Sequence, residues 1–307
     1  MIRRPPRSTR KESSAASDVY KRQTVTITAE VMPPRGGDAS HALEMARALK
    51  GLVHAVNVTD GSRAVMRMSS LAMARLLLDE GIEPVLQMAC RDRNRIAIQE
   101  DLLGAHALGI RNLLCLTGDP VRAGDQPKAR PVNELESVRL LQQVTDFNRG
   151  DDPVKGDLAD GPTDIFAGAA ADPQCASWSG LVRRTERKKT AGARFIQTQM
   201  VMDVAVLERF CREIAEPMEL PVLAGVFLLK SARNAAFINR MVPGACIPDS
   251  LIARLEAAPD PAAEGIQIAS EQVKQYLGVA QGVHLMAIKA EERICLLYTS
   301  PSPRDKA

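Results

Sequence analysis

The sequence predicts a single (β/α)8 barrel, and three observations carry that prediction. Short apolar or alternating runs recur eight times with helix-length amphipathic stretches between them, as a parallel sheet wrapped by helices requires. Late in several runs, polar residues occupy every second position, where side chains would line a barrel mouth. No G-x-G-x-x-G follows the first run and no P-loop occurs anywhere, which argues against a Rossmann dinucleotide domain or a nucleotide triphosphatase.

Residues 24–31 alternate strictly: Val25, Ile27, Ala29 and Val31 share one face, Thr24, Thr26, Thr28 and Glu30 the other, and Pro33-Pro34 ends the run. A helix over 40–49 follows, then a strand over 53–59 with Asn57 and Thr59 on a shared face. A long helix is expected over 64–79 and a third strand, carrying Gln87, over 84–90. Asp92 or Asn94 can cap the next helix. Ile96, Leu103, Ala107 and Ile110 fall near one of its faces, and Gly109 stands where a left-handed C-terminal residue is wanted. Leu113-Leu114-Cys115-Leu116 reads as a parallel strand covered on both faces, ending in Thr117-Gly118-Asp119-Pro120. A carboxylate beside a glycine at that end of a parallel strand lies where α/β folds put their chemistry.

Beyond Asp119 come a helix over 133–147, an Asp/Gly-rich loop over 150–162, a fifth strand over 164–168 and a helix over 179–191. A sixth strand over 195–201 carries Gln197 and Gln199 on one face. A helix over 204–216, a strand over 221–229, helices over 232–240, 248–257 and 262–277, and an eighth strand over 282–288 complete the pattern, with the last helix cut short. By this parity Thr28, Glu30, Asn57, Thr59, Gln87, Thr117, Asp119, Gln197 and Gln199 point into the barrel. His54 and His284 alternate with inward positions and are expected beneath helices.

The totals bound the partners. Of 307 residues, 45% are hydrophobic and 25% charged, an ordinary globular composition with material for one large core. The net charge of +3 is small and much of the excess sits near the N-terminus, so no nucleic-acid partner is expected. The six cysteines form no C-x-x-C pair and are expected reduced, in a cytoplasmic protein. His41, His54, His106 and His284 show no metal-ligand spacing, so no metal site is expected. No apolar stretch approaches the roughly 18 residues of a membrane span and no signal-peptide pattern opens the chain. Residues 1–23 and 296–307 show no folding period and resemble translated sequencing-adapter sequence, which leaves 24–295 as the barrel domain.

Six strand-end motifs, in chain order, carry a family resemblance: Glu30-Val-Met-Pro-Pro-Arg35, Asn57-Val-Thr-Asp60, the run from Arg93 to Pro120, Gly192-Ala-Arg-Phe-Ile-Gln-Thr-Gln199 with Asp203, Val222-Leu-Ala-Gly-Val226, and Gly282-Val-His-Leu285. From about Thr24 to Cys295 the chain resembles the methylenetetrahydrofolate reductase family. That resemblance implies a flavin-dependent barrel enzyme of one-carbon metabolism and methionine biosynthesis. It would reduce 5,10-methylenetetrahydrofolate to 5-methyltetrahydrofolate by ping-pong hydride transfer, with FAD as cofactor and NADH or NADPH as reductant. Family members are often homo-oligomers. By position, Glu30 becomes the general acid that protonates N10 as the folate ring opens. Asp119 becomes a neighbour of flavin and pterin, and Gln199 a folate ligand. Thr59, Gln87, Thr117, Gly118, Asp119, Arg187 and Lys188 match flavin-contacting positions, the two cations being suited to the cofactor's phosphates.

The chain also departs from that pattern. Relatives often carry a histidine where Gln87 stands, an arginine where Thr117 stands, and a tyrosine after the fifth strand, where this chain has Gly168-Ala-Ala-Ala-Asp-Pro173, with Ala170 in its middle. The departures keep a second class of function in view: a flavin-free folate- or pterin-binding subunit, or a reductase drawing on a partner electron donor. On residue chemistry alone, Glu30 could be a surface carboxylate, Asp119 a turn-former before Pro120, and Gln199 a barrel-filling residue. Arg183, Arg184, Arg187, Lys188 and Lys189 could form a solvated helix face. A barrel aldolase is the weaker rival, since Lys230 is the nearest candidate for a Schiff-base lysine.

Overall fold

Where residues alternate in polarity the chain builds strands, and eight of them close on themselves. They are β1 (Thr26–Val31), β2 (Ala55–Val58), β3 (Pro84–Ala89), β4 (Asn112–Leu116), β5 (Phe166–Ala171), β6 (Ile196–Met200), β7 (Val222–Phe227) and β8 (Gly282–Met286). They run parallel in sequence order around the barrel, with β8 pairing back to β1. The helices are α1 (Ser40–Leu49), α2 (Ser70–Asp79), α3 (Arg95–Ala107), α4 (Ser137–Arg149), α5 (Trp178–Thr190), α6 (Val204–Phe210), α7 (Ala232–Met241), α8 (Asp249–Ala257) and α9 (Pro261–Tyr276). This computed structural model describes residues 25–242, 244–287 and 293. The adapter-like reading of 1–23 and 296–307, the start of the first strand at Thr24, the end of the eighth at 288 and the shortened last helix lie outside those residues.

Both faces of each strand are covered, which is why a strand such as β7 is apolar throughout. Outward residues such as Ala29, Val56, Leu86, Leu113 and Val283 pack beneath the helices in the main core. Inward residues Ala55, Val85, Leu114, Phe195 and Leu223 plug the N-terminal half of the barrel. There Phe166 and Phe195 stack with centroids 5.6 Å apart. Gly168 makes room for that stack, because a Cβ on it would lie 2.3 Å from the Phe195 ring. With its lower half filled by carbon, the barrel leaves its polar residues at the C-terminal mouth.

Several expected boundaries move, each for a local reason. The helix expected from 64 begins at Ser70: Ser69 caps it by accepting from Ala72 N at 3.2 Å, while Arg63 and Ala64 adopt left-handed φ values of 58° and 55° that no α-helix contains. The fifth strand runs over Phe166–Ala171 rather than 164–168. Asn148 holds the preceding loop, accepting from Thr163 Oγ1 and Ile165 N and donating to Ile165 O. Asn94 caps α3, accepting from Ala97 N at 3.0 Å, and Gly109 is left-handed at φ 89° as expected. The face that α3 buries is Ile98, Leu102 and Ala105, whereas Ile96 and Leu103 are 63% and 41% exposed. The helix carries apolar residues on two sides, and contact with the barrel selects one of them.

Candidate functional site

Register decides which side chains meet at the mouth. Thr28 is paired with His284, and Glu30 with Asn57. Paired residues of parallel strands face the same side of the sheet, so all four point inward. His284 therefore lies inside the barrel, whereas its sequence parity suggested a place beneath a helix; the helix-facing set of β8 is Val283 and Leu285. Its Nδ1 is 2.8 Å from Thr28 Oγ1, and its Nε2 is 3.8 Å from Glu30 Oε2, with no hydrogen-bond partner among the described residues. The imidazole is 0% exposed and the Glu30 side chain 17%. His54 also departs from expectation: it is exposed at the closed end of the barrel, where its Nδ1 accepts from Ile27 N at 3.0 Å.

Across the barrel, Asn57 Nδ2 donates to Gln197 Oε1 at 2.8 Å. This bond joins β2 to β6 and leaves Asn57 Oδ1 buried without a partner among the described residues, as is the hydroxyl of Thr59 one turn of the pleat higher. Together with His284 Nε2, that puts three polar atoms without partners among the described residues around the inward wall, where a ligand could supply the missing bonds. Gln87 is buried and inward, in register with Leu114. Gln199 lies in the irregular stretch where β6 shifts register against β7, and its Oε1 accepts from Met200 N at 2.9 Å.

The end of β4 corrects the expected parity. Leu116 packs with the inward plug, so Thr117 turns outward, and its Oγ1 accepts from Ser137 N at 3.2 Å at the start of α4. Asp119 is exposed on the rim instead of aimed down the barrel. Its Oδ2 accepts from Arg63 N at 2.7 Å and its carbonyl from Arg91 Nη1 at 3.1 Å. Between them Gly118 has φ 94°, and a Cβ there would fall 2.9 Å from Arg91 Cβ, so the close approach needs glycine.

The two α5 cations lie outside the inward wall. Arg187 is exposed and donates to Glu136 Oε1 at 2.6 Å. Lys188 Nζ donates to Ala170 O at 2.7 Å, near the C-terminal end of β5. Burial pushes its ammonium pKa down, and nearby Arg184 adds to the effect. Sequence reasoning passed over Arg91 and Asp60. Arg91 is almost fully buried and paired with Asp92; Asp60 accepts from Ala89 N at 2.8 Å and pairs with Arg93 at 2.6 Å, bracing the ends of β2 and β3. Both are charged residues just past strand ends, which was the available signal. Among the described residues no group of three or more His, Cys, Asp or Glu side chains could hold a metal ion, and no helix is long and apolar enough to cross a membrane.

A family model described as methylenetetrahydrofolate reductase matches residues 15–300. The chain belongs to the methylenetetrahydrofolate reductase family. Among curated members, a probable methylenetetrahydrofolate reductase (NADPH) of Caenorhabditis elegans is 25% identical over 241 residues, covering 74% of this chain and 33% of that protein. Methylenetetrahydrofolate reductase 2 of Schizosaccharomyces pombe is 26% identical over 257 residues, covering 78% and 39%. The chain thus spans well under half the length of these two methylenetetrahydrofolate reductases. A 5,10-methylenetetrahydrofolate reductase of Pectobacterium carotovorum subsp. carotovorum is 23% identical over 229 residues, covering 71% of this chain and 70% of that one. Among solved structures, an uncharacterized protein from Clostridium thermocellum that binds two copies of 5-methyl-5,6,7,8-tetrahydrofolic acid shares the fold. Its TM-score is 0.64 at 13% identity, covering 93% of this chain and 99% of that one.

Proposed function

We propose that the chain is the catalytic barrel, spanning 24–295, of a cytoplasmic enzyme, working as a homo-oligomer, that reduces 5,10-methylenetetrahydrofolate to 5-methyltetrahydrofolate with NADH or NADPH through FAD. The observation that carries the reading is the inward wall formed by Glu30, His284, Asn57 and Gln197, in a chain of this family. The residues fit a flavin at its ring end: the buried, partnerless Thr59 hydroxyl and Asn57 Oδ1 match the polar edge of a flat heterocycle. At its phosphate end the Lys188 ammonium, which donates to Ala170 O, supports the reading as the cation for the phosphates. Thr117 does not contribute, since its hydroxyl is bonded at α4. When bound, FAD supplies the two-electron relay between nicotinamide and folate.

In this reading Glu30 holds the proton delivered to N10 as the five-membered ring of the folate opens. His284, fixed through Thr28, steadies that carboxyl group. The Asn57–Gln197 bond keeps the wall behind the ring in one arrangement. Gln199 hydrogen-bonds the folate through its amide N–H groups while its Oε1 stays on Met200 N, and the free oxygen of Asp119 reaches the pterin from the rim. The apolar plug beneath excludes water from the protonation step.

The test is an absorbance spectrum of the purified protein, repeated anaerobically after NADH or NADPH and again after methylenetetrahydrofolate. Flavin absorbance that bleaches with the nicotinamide and returns with the folate is expected. The outward turn of Thr117 and the absence of an aromatic at Ala170 favour a second reading, a flavin-free folate-binding subunit or a reductase fed by a partner. A colourless protein that takes up no FAD yet binds folate would replace the first reading with the second.

A further inference from the structure

Beside the mouth, the loop after β2 (59–69) and the loop after β4 (117–136) are clasped together around a pocket of about 430 Å³. Asp119 accepts from Arg63 N at 2.7 Å. Asp125 accepts from Met66 N at 3.0 Å with one oxygen and from Arg35 Nη2 at 2.5 Å with the other. Gly124 approaches so closely that a Cβ would fall 1.9 Å from Ala64 O. Arg63 and Ala64 are both left-handed, a conformation that residues with side chains adopt only when their surroundings impose it. The pocket is thus held open by a rigid clasp.

Its charge is not balanced. Of the three arginines on its wall, Arg91 pairs with Asp92, and Arg93 pairs with Asp60 and Asp101. Arg67 has no carboxylate partner among the described residues. Its Nη1 donates to Pro33 O at 2.9 Å, and its Nε is buried with no acceptor among the described residues. Arg63, Arg122, Lys128 and Arg130 are exposed on the same two loops, again without ion pairs among the described residues. Ser69, at the start of α2, closes one side, so the helix dipole adds to the positive potential. Val65, Met66, Met68 and Val121 make the rest of the wall apolar.

We propose that this pocket is a phosphate-binding subsite that takes an organic phosphate or diphosphate, with Arg67 meeting the charge and the methionine and valine wall covering the organic part. A guanidinium with free N–H groups in a partly dry pocket is the group best matched to phosphate oxygens. The inference stands apart from the reductase reading, because anion binding here requires neither flavin nor folate. The phosphate could come from the nucleotide reductant or from a separate phosphorylated metabolite.

The test is calorimetric titration of the whole protein with inorganic pyrophosphate at constant ionic strength, in the parent, in Arg67→Gln and in Gln126→Trp. Gln126 lines the pocket from an exposed loop position, so tryptophan there fills the space without removing a charge. Saturable binding to the parent is expected, weakened about tenfold or more in Arg67→Gln and abolished in Gln126→Trp. The same titrations with NADPH and NADH separate the sources. A preference for NADPH that Arg67→Gln erases assigns the phosphate to the nucleotide. Nucleotide binding that Arg67→Gln leaves unchanged, with pyrophosphate binding lost, assigns it to a separate metabolite. Absence of saturable pyrophosphate binding, or equal binding to all three proteins, overturns the proposal. Should Arg67→Gln fail to fold, Gln126→Trp alone decides.

Discussion

His284 stands behind Glu30, its Nε2 3.8 Å from the carboxylate and its Nδ1 fixed 2.8 Å from Thr28 Oγ1. Under the proposed function Glu30 donates a proton, and the buried imidazole anchored at one nitrogen limits where that carboxyl group can turn. Glu30→Gln is expected to slow methylenetetrahydrofolate reduction about 10²–10⁴-fold while sparing reduction of the flavin by NAD(P)H. His284→Asn should slow the same half-reaction by a smaller factor. Stopped-flow measurement of the two half-reactions checks both, and an equal loss in both halves would count against the assigned roles.

The bond between Asn57 and Gln197 crosses the barrel where both side chains are buried. Replacing Asn57 alone with leucine strands the Gln197 amide, replacing Gln197 alone strands that of Asn57, and each single change should cost about 1–3 kcal/mol. Replacing both residues with leucine should cost less than the sum of the single changes, because no buried polar group is then left alone. Urea unfolding of the four proteins in a double-mutant cycle measures the coupling.

Glu83, half-buried at the closed end of the barrel before β3, has its pKa raised above its ordinary 4.5, chiefly by burial, against the opposing hydrogen bond from Asn112. A raised folded-state value means that stability is fully present below pH 4.5 and is lost as pH rises through the folded pKa. Glu83→Gln keeps an acceptor for Asn112 and never ionises. Its stability relative to the parent should therefore rise across that window, which thermal unfolding between pH 4 and about pH 7 would reveal.

Thr117 bonds Ser137 N at the start of α4 and faces away from the inward wall. Thr117→Ala should lower stability by about 0.5–2 kcal/mol, in the range of a lost helix cap, without changing flavin affinity. Thermal unfolding beside a flavin titration tests this. Weakened flavin binding at unchanged stability would return Thr117 to the cofactor site.

The barrel was legible because its strands carry a period of two with polar residues gathered late, and that pattern survives without any tertiary information. Glu30, Asn57 and Gln197 followed from the same parity and are inward. The misreadings came where parity had no anchor. In β4 both faces are apolar, so the sequence alone does not say that Leu114 and Leu116 are the inward set, and Thr117 and Asp119 were counted on the wrong parity. His284 was misassigned because register, fixed by pairing with Thr28, is a property of two strands and not of one. On α3 two apolar stripes compete, and only packing against the barrel chooses Ile98 and Leu102 over Ile96 and Leu103. The early start expected for α2 failed at Arg63 and Ala64, whose left-handed backbone is imposed from another loop by Asp119.

That imposed backbone bears on how the scaffold can be re-engineered. Barrel loops usually behave as separate modules, each exchangeable without regard to its neighbours. Here the loops after β2 and β4 are joined by Asp119, Asp125 and the Gly124–Ala64 contact. A graft that replaces the loop after β4 would leave the N–H groups of Arg63 and Met66 unmet, and one that replaces the loop after β2 would free the Asp119 and Asp125 carboxylates or overlap Gly124. For swapping or laboratory evolution the two loops are a single inheritable unit, and substitutions in one will be tolerated only alongside matched changes in the other.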